Sequence, residues 1–441
     1  MLFNIVSYIL SLTRGPYWGL FAYMNIYFNT PNARLNWWAE LLPFDRWSLL
    51  SSVVLIVSVF IHRKKLSNFK FENTRWIFIF LALSTIIVTT ISIEQSSANR
   101  HLYLLFTYSL VAYFILRAIT NADQLRWFFL AIVAFGANLS LNAYLYGRRI
   151  NNRLEFIGSA DANGSNEFAL LLAAIIPLVF VFIKNGNRYE RIIAIFSMPF
   201  ILNAFILCNS RGSAVAFIGG IAISFLMIAD RQMRIGVIAL GIIIAPIFLY
   251  LTDAEYIERF QTMLGFSEAL EDTNSARKLS SGRTEIWEYG VNMAKDHPLG
   301  VGPQGFKELS RFYMPKEVLT FKKNNPQGAR SAHNTYLQVM VEQGILGLII
   351  WLCMCFHTCL LMRRAFVITS KLKTPQPLWK DAAFGLSVAF FTIMLGGLFN
   401  SRVYYEFFWW QVAIAAVVYA LAKEMAVKEE QDEQEEIKVT A

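Results

Sequence analysis

The chain is short of charge. Asp, Glu, Lys and Arg make up 16% of its 441 residues, against 56% hydrophobic, where a soluble globular domain carries about a quarter charged. That deficit excludes a string of soluble domains. One lipid-embedded helical bundle is expected instead, because helices satisfy their own backbone hydrogen bonds in lipid. Cysteine is scarce too: Cys208, Cys353, Cys355 and Cys359 all lie within or at the end of apolar runs. No disulfide framework is expected, and Cys355 and Cys359 beside His357 lack the spacing of a closed zinc site. There is no His-Glu-x-x-His, no Gly-x-Ser-x-Gly elbow, and no Asp-x-Asp pair in the segment 29–44. Neither a divalent-metal site nor serine-hydrolase chemistry is therefore expected, and no cofactor. The N-terminus has no basic region followed by a small-residue cleavage site, so its first apolar run is expected to stay as a span.

Long apolar runs are abundant. Those near 20 residues predict spans at about 3–28, 46–62, 76–93, 101–119, 127–146, 167–183, 191–208, 212–229, 235–252, 345–362, 381–399 and 405–422. The expectation is an all-α integral membrane protein of about twelve transmembrane helices. Thr13-Arg14-Gly15-Pro16 interrupts the first run, which is either one kinked span or two half-helices. The net charge of +9 does not point to nucleic acid. Its basic residues fall in alternating short loops: Arg63 to Arg75, Arg117 and Arg126, Lys184 to Arg191, Arg231 and Arg234, and Arg363 to Lys380. With twelve spans these loops share one side, which the positive-inside rule assigns to the cytoplasm, together with both termini and an acidic tail over 425–441. The chain then divides into spans over 1–252, one large helical loop over 253–344 on the outer, periplasmic face, and spans over 345–424.

The chemistry-bearing residues fall on the outer side. Asn209-Ser210-Arg211-Gly212-Ser213 joins two apolar runs with almost no loop. An arginine there either snorkels or caps a turn, or joins a helix N-terminus in holding a phosphate. Arg283 opens a helix predicted over 284–295 and stopped by Pro298, against the preference for acids in a first turn. Its partner is either an outside anion or an acid of the same loop such as Glu285. Gly300-Val301-Gly302-Pro303-Gln304-Gly305-Phe306 lacks the Lys-Ser/Thr ending and preceding strand of a phosphate-binding loop, and reads as a tight turn setting the loop against the membrane surface. An amphipathic helix is predicted over 334–342, with Gly344 handing over to the next span. That places His333 at the water–lipid interface, as a surface histidine or as a base that accepts a hydroxyl proton. Arg148, Arg149 and Arg153 cluster in another outer loop, either by scatter or to meet anionic head groups or a glycolipid phosphate.

Taken together, Arg211-Gly212, Gly282-Arg283 with Trp287, His297 to Phe306, and His333-Asn334 with Tyr336-Leu337 resemble the O-antigen ligase and polymerase superfamily. Gly164 to Ala169 resembles its Asn-x-x-Ala start of a span, and the likeness covers roughly 150–362. The resemblance implies metal-independent, inverting glycosyl transfer at the periplasmic face of a bacterial inner membrane. The donor would be a glycan on undecaprenyl diphosphate, and the acceptor a lipid A-core sugar or another glycan, such as a second lipid-linked repeat unit. It further implies Arg211 and Arg283 as diphosphate ligands and His333 as the base. Arg148, Arg149, Arg153, Asn166, Arg330, Asn334 and Tyr336 are candidate substrate contacts. The same chemistry follows from the residues: arginines can stabilise a diphosphate leaving group where metal is absent, and a base must meet the acceptor hydroxyl. A transporter of lipid-linked sugars is the rival reading. Transporters place ionisable residues mid-span on broken helices in matching halves, whereas here Arg14 is the main mid-span charge.

Overall fold

The computed structural model describes residues 2–30, 46–150, 152–155, 157–159, 161–162, 164–227, 235, 283–321 and 325–440. Leu2–Arg14 (α1) and Tyr17–Phe28 (α2) lead to Trp47–Ile61 (α3), Arg75–Thr90 (α4), Gln95–Ala118 (α5) and Ala122–Tyr146 (α6). Two short antiparallel strands, Arg148–Ile150 (β1) and Arg153–Glu155 (β2), precede Ser165–Asn185 (α7), Arg188–Leu207 (α8) and Arg211–Met227 (α9). Then come Arg283–Asp296 (α10), Gly305–Tyr313 (α11), Thr335–Lys371 (α12), Pro377–Gly396 (α13) and Glu406–Thr440 (α14). The architecture is all-α apart from the hairpin.

Seven of the described helices are long and apolar enough to cross a bilayer: α5 to α8, α12, α13 and Glu406–Glu435 of α14. About twelve were expected. The spans predicted at 46–62 and 76–93 are the shorter apolar helices α3 and α4, of 15 and 16 residues, and the one predicted at 212–229 is described as α9 as far as Met227. At ~1.5 Å per residue α3 and α4 fall short of a ~30 Å hydrocarbon core. The span predicted at 235–252, apart from Ile235, and the first part of the large loop lie outside the described residues.

The first apolar run is two helices, not one kinked span. Gly15, at φ 140°, reverses the chain ahead of Pro16. Asn25 then donates to Asn4 Oδ1 at 2.8 Å, so α1 and α2 lie antiparallel. Lys65 Nζ donates to the Arg14 carbonyl, which puts the turn among the basic loops. The start of α1 therefore sits at the opposite end of the bundle from the end of α14, whose Glu429 and Glu433 meet residues 373 and 374.

The two ends of the bundle differ in kind. The basic end is tied by charge: Arg126 to Glu190 at 2.5 Å, Lys184 to Asp381 at 2.7 Å, and Arg117 to the carbonyls of Ser67 and Phe69. Between the ends, packing takes over. Gly219 and Gly220 let α9 lie against Leu395 and Thr392 of α13, where an added Cβ would come within 2.6 Å of a Leu395 methyl and 2.8 Å of the Thr392 nitrogen. Small residues at helix contacts are the usual means of close approach in lipid. Trp351 stacks on Phe408 at 4.4 Å and joins α12 to α14.

The other end is built around a break. Helix α12 loses its helical path at Gly344, with φ 71° and ψ −178°. A broken helix leaves carbonyls and N–H groups without their usual partners, at a cost where water is scarce. Residues 298–302 supply the replacements. Val301 and Gly302 donate to the carbonyls of Val341 and Glu342 at 3.1 and 3.0 Å, and Ile345 donates to the Pro298 carbonyl at 3.0 Å. On its other side Val301 accepts from Ile93 at 3.2 Å, which pins the segment to the α4–α5 link. The predicted tight turn is thus a patch over the helix break. It is also why Gly300 has φ +91°: a Cβ there would lie 2.7 Å from the Gly344 nitrogen, and one on Gly344 would lie 2.7 Å from the Pro298 oxygen. Helices α10 and α11 and the first turns of α12 close a small apolar core of their own through Ile286, Met293, Phe306, Leu337 and Val341.

Gly344→Ala is expected to lower the thermal unfolding midpoint in detergent. The left-handed backbone alone costs on the order of 1–3 kcal/mol for a residue with a Cβ, before the clash with residues 298–299. An unchanged midpoint would mean that the patch yields freely and does not hold the break.

Candidate functional site

Arg211, the 283–296 helix and His333 come together through three local structures. The first is the turn between α8 and α9. Asn209 adopts φ 46° and Ser210 accepts from the Ser213 N–H, so α9 begins at Arg211 with its N-terminus aimed at the patched end. Asn166 locks this turn: its Oδ1 accepts from Ser210 Oγ at 2.8 Å and from Arg153 Nη2 at 2.7 Å, while Ser213 Oγ donates to its carbonyl. Arg153 also donates to the Cys208 carbonyl at the end of α8. Arg153 and Asn166, expected as substrate contacts, are bonded to each other and to the turn that carries Arg211. Arg148 and Arg149 are exposed on β1.

The second structure carries Arg283 as the first residue of α10. One turn on, Trp287 Nε1 donates to the Ala332 carbonyl at 3.1 Å. The residue after Ala332 is His333, so the helix that begins at Arg283 is hydrogen-bonded to the peptide that holds the histidine.

The third structure is the start of α12. His333 is exposed and left-handed, with φ 47°. Left-handed backbone at a non-glycine residue is uncommon and concentrates at functional sites. Asn334 caps the helix, its Oδ1 accepting from the N–H groups of Tyr336 and Leu337 at 3.0 and 3.1 Å. Thr335 donates its N–H to the Gly397 carbonyl at 2.7 Å and its hydroxyl to the Asn400 carbonyl at 2.7 Å, and it accepts from the Arg402 N–H at 2.8 Å. Tyr336 Oη donates to the Met394 carbonyl. Asn334, Thr335 and Tyr336 are thereby fixed to protein, and His333 is presented outward. The 397–402 loop that receives them also packs against Gly212, where an added Cβ would touch Phe399 at 3.4 Å. One loop therefore touches Gly212, next to Arg211, and Thr335, two residues from His333. Arg330 lies further back, its N–H on Ser310 Oγ and its guanidinium on Thr320.

Beside the α12 start lies a polar cavity of about 240 Å³ that the sequence reading missed. Arg402 is its centre: 6% exposed, 3.2 Å from Glu167 and lying over the Tyr405 ring. Asp161 accepts from Tyr27 Oη at 2.9 Å, and burial lifts its carboxyl to about 6 despite these hydrogen bonds and the nearby Arg402 charge. Burial, with the Asp161 charge added, likewise raises Tyr405. Gln304, left-handed at φ 64°, and Gln338 close the floor, with Gln304 3.3 Å from His101. Among the described residues no cluster of three His, Cys, Asp or Glu side chains is placed to hold a metal ion.

Residues 196–352 match the family model described as O-antigen ligase. The match runs from within α8 to within α12 and takes in Arg211, Arg283 and His333. It supports the superfamily that the motifs resemble, whose members are glycosyltransferase-like membrane enzymes. No curated protein matches the chain.

If Asn334 is the cap, Asn334→Ala should cost about 1 kcal/mol of stability, and Asn334→Asp, which keeps the accepting oxygen, little. Equal unfolding midpoints for the two variants would remove the capping role.

Proposed function

We propose that this chain, with its O-antigen ligase domain over residues 196–352, is an inverting glycosyltransferase of the ligase type. It moves a glycan from undecaprenyl diphosphate to a sugar hydroxyl of lipid A-core, on the periplasmic face of a bacterial inner membrane, with residues 283–344 on that face. The observation that carries the reading is the convergence just described. The Arg283 helix is bonded through Trp287 to the peptide before His333, and the 397–402 loop touches both the Arg211 turn and Thr335.

In this mechanism His333 accepts the proton of the acceptor hydroxyl. The acceptor oxygen attacks the anomeric carbon as the bond from that carbon to the diphosphate oxygen breaks. Undecaprenyl diphosphate leaves with the electron pair, and the configuration inverts. Arg211 and Arg283 hold the diphosphate, where a planar guanidinium can take two oxygens at once and oppose the charge that grows on the leaving group. The positive end of the α9 helix dipole acts in the same sense. A base in left-handed backbone, anchored by the next three residues, keeps its orientation without induced rearrangement.

Loss of a general base lowers turnover by about 10²–10⁴-fold, so His333→Ala is expected to insert and accumulate normally but transfer at most about a hundredth as fast. Wild-type turnover in that variant would remove the base. Arg283→Lys should be severely impaired, since an ammonium cannot reproduce the two-pronged contact; full activity would reduce Arg283 to charge balance. Transfer should persist in excess chelator, and its loss would point to a metal-dependent route. Purified protein given donor and each acceptor separately should yield glycosylated lipid A-core. A lengthened lipid-linked glycan as product would make it a polymerase with the same site. Release of no undecaprenyl diphosphate at all would favour a transporter.

A further inference from the structure

The cavity beside α12 has more hydrogen-bonding capacity than the protein uses. Arg402, Gln338, Ser401 and Tyr405 line it, and each has a buried side-chain atom, Nε, Oε1, Oγ and Oη respectively, with no hydrogen-bond partner among the described residues. Buried polar atoms are almost always partnered, so four such residues around one recess mark a place built to receive hydrogen bonds from outside the chain. Both kinds of group are present: Arg402 Nε only donates, Gln338 Oε1 only accepts, and the two hydroxyls do either. Arg402 is 6% exposed, Gln338 6% and Tyr405 2%, whereas the Glu167 side chain is 37% exposed, so the recess is deep but reachable from the aqueous end.

Charge narrows the class of ligand. The one cation, Arg402, already faces Glu167 at 3.2 Å and Asp161 across the recess. An added anion would meet two carboxylates for one guanidinium. A neutral group with many hydroxyls meets no such penalty, because it can donate to the carboxylates and accept from the arginine and the tyrosine. Size narrows it further. About 240 Å³ is below the ~300–1,000 Å³ of pockets for drug-sized molecules, and fits one ring but not a chain.

We infer that this recess is a subsite for one neutral sugar ring, held by Arg402, Gln338, Ser401 and Tyr405 next to the transfer site. Its position follows from the chain: the Arg402 N–H is bonded to the Thr335 hydroxyl, two residues from His333, and Gln338 lies one turn further along the same helix. The inference rests on the glycosyl-transfer reading for its identity as a substrate subsite, since the ring it holds belongs to the donor or acceptor glycan. The binding itself does not depend on turnover.

The test is saturation-transfer NMR on the full chain in phosphatidylcholine nanodiscs. The probes are methyl glucoside, methyl N-acetylglucosaminide and methyl glucuronide. At least one neutral glycoside should give a signal stronger than the glucuronide, and Ser401→Phe, which fills the recess, should abolish it. Tyr405→Phe removes only an unpartnered hydroxyl and should weaken the signal about five-fold, the worth of one hydrogen bond. It decides the matter if Ser401→Phe does not fold. The inference is overturned if no neutral glycoside gives a signal, if the glucuronide gives the strongest, or if the neutral signal is unchanged in a folded Ser401→Phe or in Tyr405→Phe. His333→Ala separates the two readings. With both correct, it binds the neutral glycoside and does not transfer. Wild-type transfer by His333→Ala overturns the mechanism and leaves the subsite standing, and an intact neutral signal in the filled variant does the reverse.

Discussion

Peptide groups freed by a helix break at the edge of a bilayer have to be bonded to something, and in this protein one segment does it. The stretch from Pro298 to Gly302 takes the carbonyls of Val341 and Glu342 and supplies the one that Ile345 needs. Everything around His333 depends on that exchange. It lets α12 change direction at Gly344, so that its first turns belong to the small outer core while its remainder lies in the bundle. It fixes the polar segment to the spans at a point of main-chain contact, where side-chain variation has little leverage. It also fixes where the 305–313 helix begins, and with it the position of its cap residue Gln304 against His101.

Much of this was legible in the sequence because it is local. The helix after Ser281-Gly282, its stop before Pro298, the amphipathic start of α12 and its hand-over at Gly344 all follow from spacing and from residues with few backbone options. The glycines of 300–302 marked a tight turn, but their purpose lay some 40 residues further on, in carbonyls that only a broken helix exposes. The 305–313 helix went unseen, since its neighbours read as loop. Hydropathy rewards an apolar run whether or not it is helical throughout, so it left the run interrupted at Thr13 to Pro16 as either one kinked span or two half-helices.

The candidate site divides in the same way. Arg211, Arg283 and His333 stand in compact motifs and can be read from their neighbours. Asn166, Arg153, Asn334 and Tyr336 belong to the same motifs, yet their side chains are spent on the scaffold: an arginine to an amide, an amide to two backbone N–H groups, a phenol to a carbonyl. Arg402 and Asp161 escaped notice because nothing adjacent in sequence explains them. Asp161 is bonded to Tyr27, and Arg402 is paired with Glu167, across more than a hundred residues in each case. A recess assembled from five separate segments has no spacing to detect.

The loop from Gly397 to Arg402 is tied to the start of α12 through its main chain: two of its carbonyls and one of its N–H groups bond to Thr335. Such an attachment is indifferent to which side chains the loop carries. A change at Ser401 would then alter the lining of the recess and leave the start of α12 where it is.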